Sequence, residues 1–290
     1  QKAVRMNLKE SDGVMIFDIV HIIRNGWWDE LKEALDETKP DEARMIKGTV
    51  TCDGKGIANV VVTDGQRCVT TDKNGIYHLP SLGNTRFVYI TTPAGYLTDC
   101  EQTIPKFYQE IDMNKTNEYN FRLKKNPKDD KKHLFVLEAD VQAGLKEHWD
   151  LYAPIIDDYK QLINQHSDRD VFGLNCGDIF WDTPATFFPP YIDKAKKLDI
   201  PIYRAIGNHD IDCNGATHET SYRTFEGYFG PAHYSFNKGN AHYIVINNNF
   251  YVGREYFYIG YVDETTFKWL EEDLSYVPKG TLVFFITHIP

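Results

Sequence analysis

The chain has 290 residues, 42% of them hydrophobic and 26% charged, which is apolar mass for more than one globular domain. The formal net charge is -10 and no Lys/Arg stripe is present, so a nucleic-acid backbone, which is bound through clustered cations, is excluded as an expected partner. No apolar run reaches the roughly 18–20 residues of a membrane-spanning helix, and five scattered cysteines without a CxxC pair exclude a disulfide framework or zinc finger while leaving room for one bridge.

Residues 1–44 form the first unit. Ile16, Ile19, Val20, Ile23 and Trp27 fall at helical spacing and predict one apolar stripe. The polar face has no Lys/Arg excess, so the stripe is expected to pack on the next domain rather than lie on a membrane. Residues 45–123 change period. Ile46 to Val50, Asn59 to Val62, Arg67 to Thr70, Tyr77 to Leu79 and Phe87 to Thr91 read as short strands. Between them stand turn sequences, Asp53-Gly54, Asp64-Gly65 and Asp72-Lys73-Asn74-Gly75, and the set predicts a β-sandwich. Residues 124–132, with mixed charges and Pro127, read as a solvated linker.

Residues 133–290 alternate strand and helix, the pattern of an α/β domain. Buried-strand runs are His133 to Glu138, Val171 to Cys176, Ile202 to Ile206, Tyr243 to Ile246 and Leu282 to Ile286. One helical face is expected from Ile155, Ile156, Tyr159, Leu162 and Ile163, another from Phe267, Leu270 and Leu274. Four of the strands run into metal-ligand chemistry: Asp140-Val141-Gln142, Gly177-Asp178, Gly207-Asn208-His209-Asp210, and Thr287-His288-Ile289-Pro290. Asp, Asn and His suit hard or borderline divalent cations, and successive strand ends bring distant residues onto one rim. A single Asp after a strand is usually a cap or turn. The ordered set of four is far more specific.

In that order and spacing the motifs resemble calcineurin-like metallophosphoesterases, and Phe229-Gly230-Pro231, Tyr234-Ser235-Phe236 and His242 to Asn247 resemble them too. Lys55-Gly56-Ile57, Val60 to Val62 and Asn74-Gly75-Ile76-Tyr77 are similar to the transthyretin-like, carboxypeptidase-regulatory-like sandwich that precedes such domains in exported bacterial enzymes. The resemblance implies an N-terminal sandwich followed by a four-layer α/β/β/α phosphoesterase domain, incomplete at its C-terminus, in a periplasmic or secreted protein whose leader has been removed. It implies two divalent metal ions, Mn, Fe or Zn, and a small phosphorylated substrate, a mono- or diester. Asp178 would bridge the metals, Asp140 and Gln142 would serve the first, and Asn208 and His288 the second. A hydroxide held between the metals would attack phosphorus. His209 would assist the leaving group, with Asp210 orienting it.

Two departures from the pattern matter. Gln142 stands where the family usually has His, and a neutral amide oxygen is the poorer ligand. The family's closing Gly-His-x-His is not found before Pro290, so one ligand for each metal is expected from elsewhere. Asp182 is expected as an outer partner of Asn208 or His209, and His218, Tyr222 and Arg223 lie in a loop that could meet substrate. His242 reads as a buried, hydrogen-bonded histidine. A catalytically weak, phosphoesterase-like binding module is the competing expectation. An amidohydrolase would want His-x-His early in the chain, and a nucleophilic hydrolase would want Gly-x-Ser-x-Gly or a Cys/His dyad; neither pattern is present.

Overall fold

The computed structural model describes residues 44–81, 85–112, 114–179, 181, 184–212, 215, 217–253 and 257–290, with backbone only for Arg44 and 184–187. The expected N-terminal helix therefore lies outside the described residues, as do Asp182 and Cys213. The architecture is mixed α/β, with several sheets and no closed barrel.

Eleven strands occupy the first part: β1 (Arg44–Cys52), β2 (Lys55–Gly56), β3 (Val61–Thr63), β4 (Cys68–Thr70), β5 (Ile76–Ser81), β6 (Phe87–Ile90), β7 (Tyr96–Leu97), β8 (Cys100–Glu101), β9 (Ile104–Pro105), β10 (Tyr108–Glu110) and β11 (Phe121–Lys125). In β1 the buried positions alternate through Ile46, Gly48, Val50 and Cys52, the period of a strand with one face in a core. Asp53 (φ 49°) and Gly54 (φ 74°) make the left-handed pair of a tight hairpin into β2. At the β4–β5 connection the Asp72 carboxylate accepts from the N–H groups of Asn74 and Ile76, both at 2.8 Å, and fixes the turn. The strands form a five-stranded sheet, β2-β1-β11-β7 with β5 on β1, and a four-stranded sheet, β10-β6-β3-β4. Ile46, Val50, Tyr77 and Phe121 of the first share a core with Val62, Phe87, Val88 and Ile90 of the second.

Within the expected linker, Lys124 and Lys125 complete β11, and Asp130 is buried, its carboxylate accepting from the Gly95 N–H at 2.5 Å. The second part then runs β12 (Leu134–Glu138), α1 (Lys146–Gln165), β13 (Val171–Asn175), α2 (Pro184–Ala195), β14 (Ile202–Arg204), α3 (Arg223–Phe229), β15 (Tyr234–Lys238), β16 (Ala241–Val245), β17 (Asn249–Gly253), β18 (Phe257–Gly260), α4 (Glu264–Ser275) and β19 (Leu282–Ile286). The five strand runs expected here divide between two sheets. One is the parallel set β12-β13-β14, and the other is β15-β16-β19, in which β16 and β19 are parallel. Facing aromatics join the sheets: Tyr203 stacks on Phe236 at 3.6 Å, and Phe172 meets Tyr243 edge-on at 5.4 Å.

Both helical faces differ from expectation. In α1 the buried side is Trp149, Tyr152 and Ile156, continued by Tyr159 and Ile163, whereas Ile155 and Leu162 are 46% and 48% exposed. The steps of three and four between those five positions define the stripe, and its bulky aromatics carry the packing, so Ile155 and Leu162 fall to its flank. In α4, Leu270 and Leu274 pack against the core as expected, but Trp269 is the fully buried anchor and Phe267 is 52% exposed. His242 is buried as expected, between Asn237 Oδ1 and Asp273 Oδ2, each 2.8 Å from a ring nitrogen.

The two parts share their packing. Tyr89 donates its hydroxyl to the His233 carbonyl (2.8 Å), Thr91 and Ser235 hydroxyls bond at 2.8 Å, and the Ile202 N–H donates to the Thr103 carbonyl (2.8 Å). Cys52, Cys68, Cys100 and Cys176 are free thiols, so the bridge that the sequence left room for does not form among the described cysteines. No described helix is long and apolar enough to cross a membrane.

A buried ion pair also ties the facing sheets. Lys238, at the end of β15, reaches Asp170, just before β13, with an Nζ–Oδ2 distance of 2.7 Å. Lys238→Ala would strand a buried carboxylate and is expected to lower unfolding stability by about 3–5 kcal/mol, whereas a Lys238→Met, Asp170→Leu pair should be near neutral. Urea denaturation midpoints compare them, and a loss in the double variant as large as in Lys238→Ala would show that the pair contributes net stability.

Candidate metal centre

Four loops carry the candidate ligands, after β12, β13, β14 and β19, and the backbone of the first two is unusual. Asp140 (φ 53°), Gln142 (φ 43°) and Asp178 (φ 53°) all adopt left-handed conformations that side chains with a Cβ rarely take. Such strain persists only where surrounding structure imposes it, and it clusters at functional sites. Here the imposition is visible. Asp140 N–H donates to the Gly177 carbonyl and Gln142 N–H to the Asp178 carbonyl, both at 3.0 Å, so the loop after β12 is laced to the loop after β13. The third loop, after β14, approaches so closely that a Cβ on Gly207 would lie 2.0 Å from Asp178 N, and one on Gly177 2.5 Å from Gly207 N. Only glycine fits at either place.

Asp210 holds this junction. It is fully buried, and its two oxygens accept from the N–H groups of Gly207 (2.8 Å) and Ile179 (2.9 Å). Burial pushes its carboxyl up to about 8 against the opposing pull of those donors. Its oxygens are thus engaged with backbone, and its hold on His209 runs through the turn Asn208–Asp210.

On this frame the side chains converge. Asp178, 2% exposed, points one oxygen each way. Oδ1 accepts from the His209 N–H (3.0 Å) and lies 3.4 Å from His288 Nε2. Oδ2 accepts from Gln142 Nε2 (2.9 Å), which also lies 3.4 Å from Asp140 Oδ1. Asp140, Asp178 and His288 form a group of potential metal ligands whose donor atoms all lie within 4.8 Å of one another. His288 Nδ1 is 3.0 Å from the Cys176 carbonyl, which can only accept, so Nδ1 carries a proton. Nε2, the ring's other nitrogen, then faces Asn208 Oδ1 at 3.0 Å and Asp178 Oδ1 at 3.4 Å. Three atoms able to ligate a cation thus converge, and a carbonyl behind the imidazole is the usual outer support of a metal-binding His. The donor set therefore fits a divalent cation.

His209 lies beside this gap, its Nε2 4.0 Å from Asp178 Oδ2 and its ring stacked on half-exposed Trp181 at 4.5 Å. The other candidates sit apart. His218 is buried, accepts the Tyr251 N–H at Nδ1 (3.1 Å) and stacks on Phe250 at 4.3 Å, and burial lowers its pKa. It braces β17. Tyr222 packs edge-on against His218 at 5.3 Å, and Arg223 is exposed at the start of α3.

Residues 44–126 match the family model for the N terminal of calcineurin-like phosphoesterases. The match spans β1 to β11 and ends before the loops that carry the candidate ligands, so it supports the calcineurin-like family from a part of the chain independent of those loops. No curated protein matches the chain.

Several supporting residues escape a reading of motifs. Glu138, buried at the end of β12, accepts from the Tyr191 hydroxyl (2.6 Å), the Tyr152 hydroxyl (2.7 Å) and Asn175 Nδ2 (3.0 Å), while Asn175 Oδ1 accepts the Gly177 N–H (2.9 Å). Asn248 clamps the His288 turn through both the N–H and the carbonyl of Ile289, and Asn249 donates to the Ile206 carbonyl at 2.6 Å. The run Asn247-Asn248-Asn249 directly after a buried strand is the signal that marks the last two.

Proposed function

We propose that the chain is the front part of a metal-dependent phosphoesterase that hydrolyses phosphomonoesters or phosphodiesters. The observation that carries this reading is the convergence of His288 Nε2 on Asn208 Oδ1 and Asp178 Oδ1, with the ring held from behind by the Cys176 carbonyl. Asp178, Asn208 and His288 would hold one divalent cation, and Asp178 with Asp140 and Gln142 a second. Divalent cations so placed supply Lewis acidity to phosphoryl oxygens and acidify water. The protein's own part is to keep Asp178 buried between the two positions, to hold the first three loops rigid through Gly177, Gly207 and Asp210, and to set His209 at the rim, where a proton can pass to the departing oxygen.

The facing sheets, with α1 and α2 against one and α4 beside the other, support the four-layer α/β/β/α arrangement, and the sheets of 44–125 a transthyretin-like domain. Phe135 and Leu137 on β12 and Leu282 and Phe285 on β19 are exposed, and Phe135 meets Phe284 at 6.4 Å, so two open, apolar sheet edges lie side by side. Such edges take further strands. They support the reading that a continuation or another chain supplies the remaining ligands. A periplasmic or secreted setting completes the proposal. The test is hydrolysis of p-nitrophenyl phosphate and bis(p-nitrophenyl) phosphate by the chain, stripped with chelator and reloaded with Mn2+. Hydrolysis that returns with the metal is expected. None from a chain that binds Mn2+ through Asp178 would leave the remaining ligands to a continuation or another chain, and none from a chain that holds no Mn2+ would favour a binding module instead.

A further inference from the structure

The two sides of Asp178 are prepared differently for a cation. On the His288 side Nε2, Asn208 Oδ1 and Asp178 Oδ1 converge with no amide NH2 bridging them. On the Asp140 side one does bridge, because the Gln142 amide NH2 donates to Asp178 Oδ2 at 2.9 Å and faces Asp140 Oδ1 at 3.4 Å. An amide NH2 carries partial positive charge, so it links two carboxylates much as a cation would. The end of the amide is nearly symmetric in shape, and reversing it exchanges Nε2 for Oε1. With no cation the reversed amide would set a carbonyl oxygen against two carboxylates. With a cation the present orientation would set an NH2 against positive charge. The left-handed backbone of Asp140 and Gln142 and the Gln142 N–H bond to the Asp178 carbonyl fix where the side chain starts, and turning its last torsion is enough to exchange the two amide atoms.

We infer that Gln142 is an occupancy-linked amide that makes metal binding sequential, with the Asn208–His288 side filling first and the Asp140 side only after the amide reverses. The inference rests on the metal-centre reading above. Filling the Asp140 side forfeits a hydrogen bond to a carboxylate, which corresponds to an affinity about 10- to 100-fold weaker than on the other side.

The experiment is a Mn2+ titration of the full chain, stripped with chelator, followed by the electron paramagnetic resonance signal of free Mn2+. Wild type should bind a tight equivalent and then a weaker one. Gln142→His and Gln142→Glu, which both lack the bridging NH2 and supply a stronger ligand, should tighten the weaker step about tenfold or more. They should leave the tight step within twofold, which also shows that the variants fold. His288→Ala should remove the tight step. A single wild-type equivalent that becomes two in either variant gives the same support. Two equal steps in wild type, a second step unchanged in both variants, or loss of the weaker step in His288→Ala would overturn the inference and leave the metal centre standing. No Mn2+ binding by wild type, or binding indifferent to Asp178→Asn, would overturn the metal centre and the inference with it.

Discussion

Asp178→Asn is expected to cut metal-dependent phosphate-ester hydrolysis on the order of 10³-fold while leaving the fold intact. The carboxylate is buried and serves both sides of the site, one oxygen toward His288 and the other toward Gln142. Asparagine has the same shape, so the packing against Gly207 survives and its oxygen can still accept the His209 N–H. It has lost the charge, however, and its NH2 must point a donor at either His288 or Gln142. Initial rates on p-nitrophenyl phosphate, with circular dichroism as the control for folding, measure the effect. A loss of less than tenfold would remove Asp178 from the centre of the account.

His209→Ala should lower kcat by about 10²–10⁴-fold with metal content unchanged. The ring lies beside the candidate ligands, and its backbone N–H rather than its side chain bonds Asp178 Oδ1. A proton donor matters most when the departing oxygen is basic. The deficit should therefore be largest for an alkyl phosphate and smallest for p-nitrophenyl phosphate, whose leaving group departs unprotonated. Equal losses on both substrates, or a parallel loss of metal, would place His209 among the ligands and not at the leaving group.

Much of this centre was legible because the chemistry sits at strand ends. Gly177-Asp178 and Gly207 to Asp210 follow buried runs, and His288 follows an apolar strand, β19, that was expected to be buried and instead exposes Leu282 and Phe285; in each case a sequence shows both the run and its polar terminus. What holds them was not legible. Glu138 and Asn175 are single polar residues inside apolar strands, and nothing in their spacing announces that they bond each other behind the loop of Asp178. The role of Asp210 shows the same limit: its neighbour His209 suggested a partner, whereas its oxygens go to the backbone of Gly207 and Ile179. In the fold, strand positions followed from period and turn chemistry, but the division into two facing sheets did not, since a buried run reads alike in either sheet. The β17–β18 hairpin was hidden in an aromatic stretch, Phe250 to Tyr261, without a turn dipeptide. In α1 and α4 the large aromatics Trp149, Tyr152 and Trp269 anchor the buried face, leaving Ile155, Leu162 and Phe267 exposed, while Ile156, Ile163, Leu270 and Leu274 pack as expected.

The measurement that bears most directly on the account is metal content per chain, by inductively coupled plasma mass spectrometry after Mn2+ loading and removal of free metal, for wild type and Asp178→Asn. At least one equivalent in wild type, falling severalfold in the variant, is the predicted result. A small fraction of an equivalent in both, unchanged by the substitution, would contradict it.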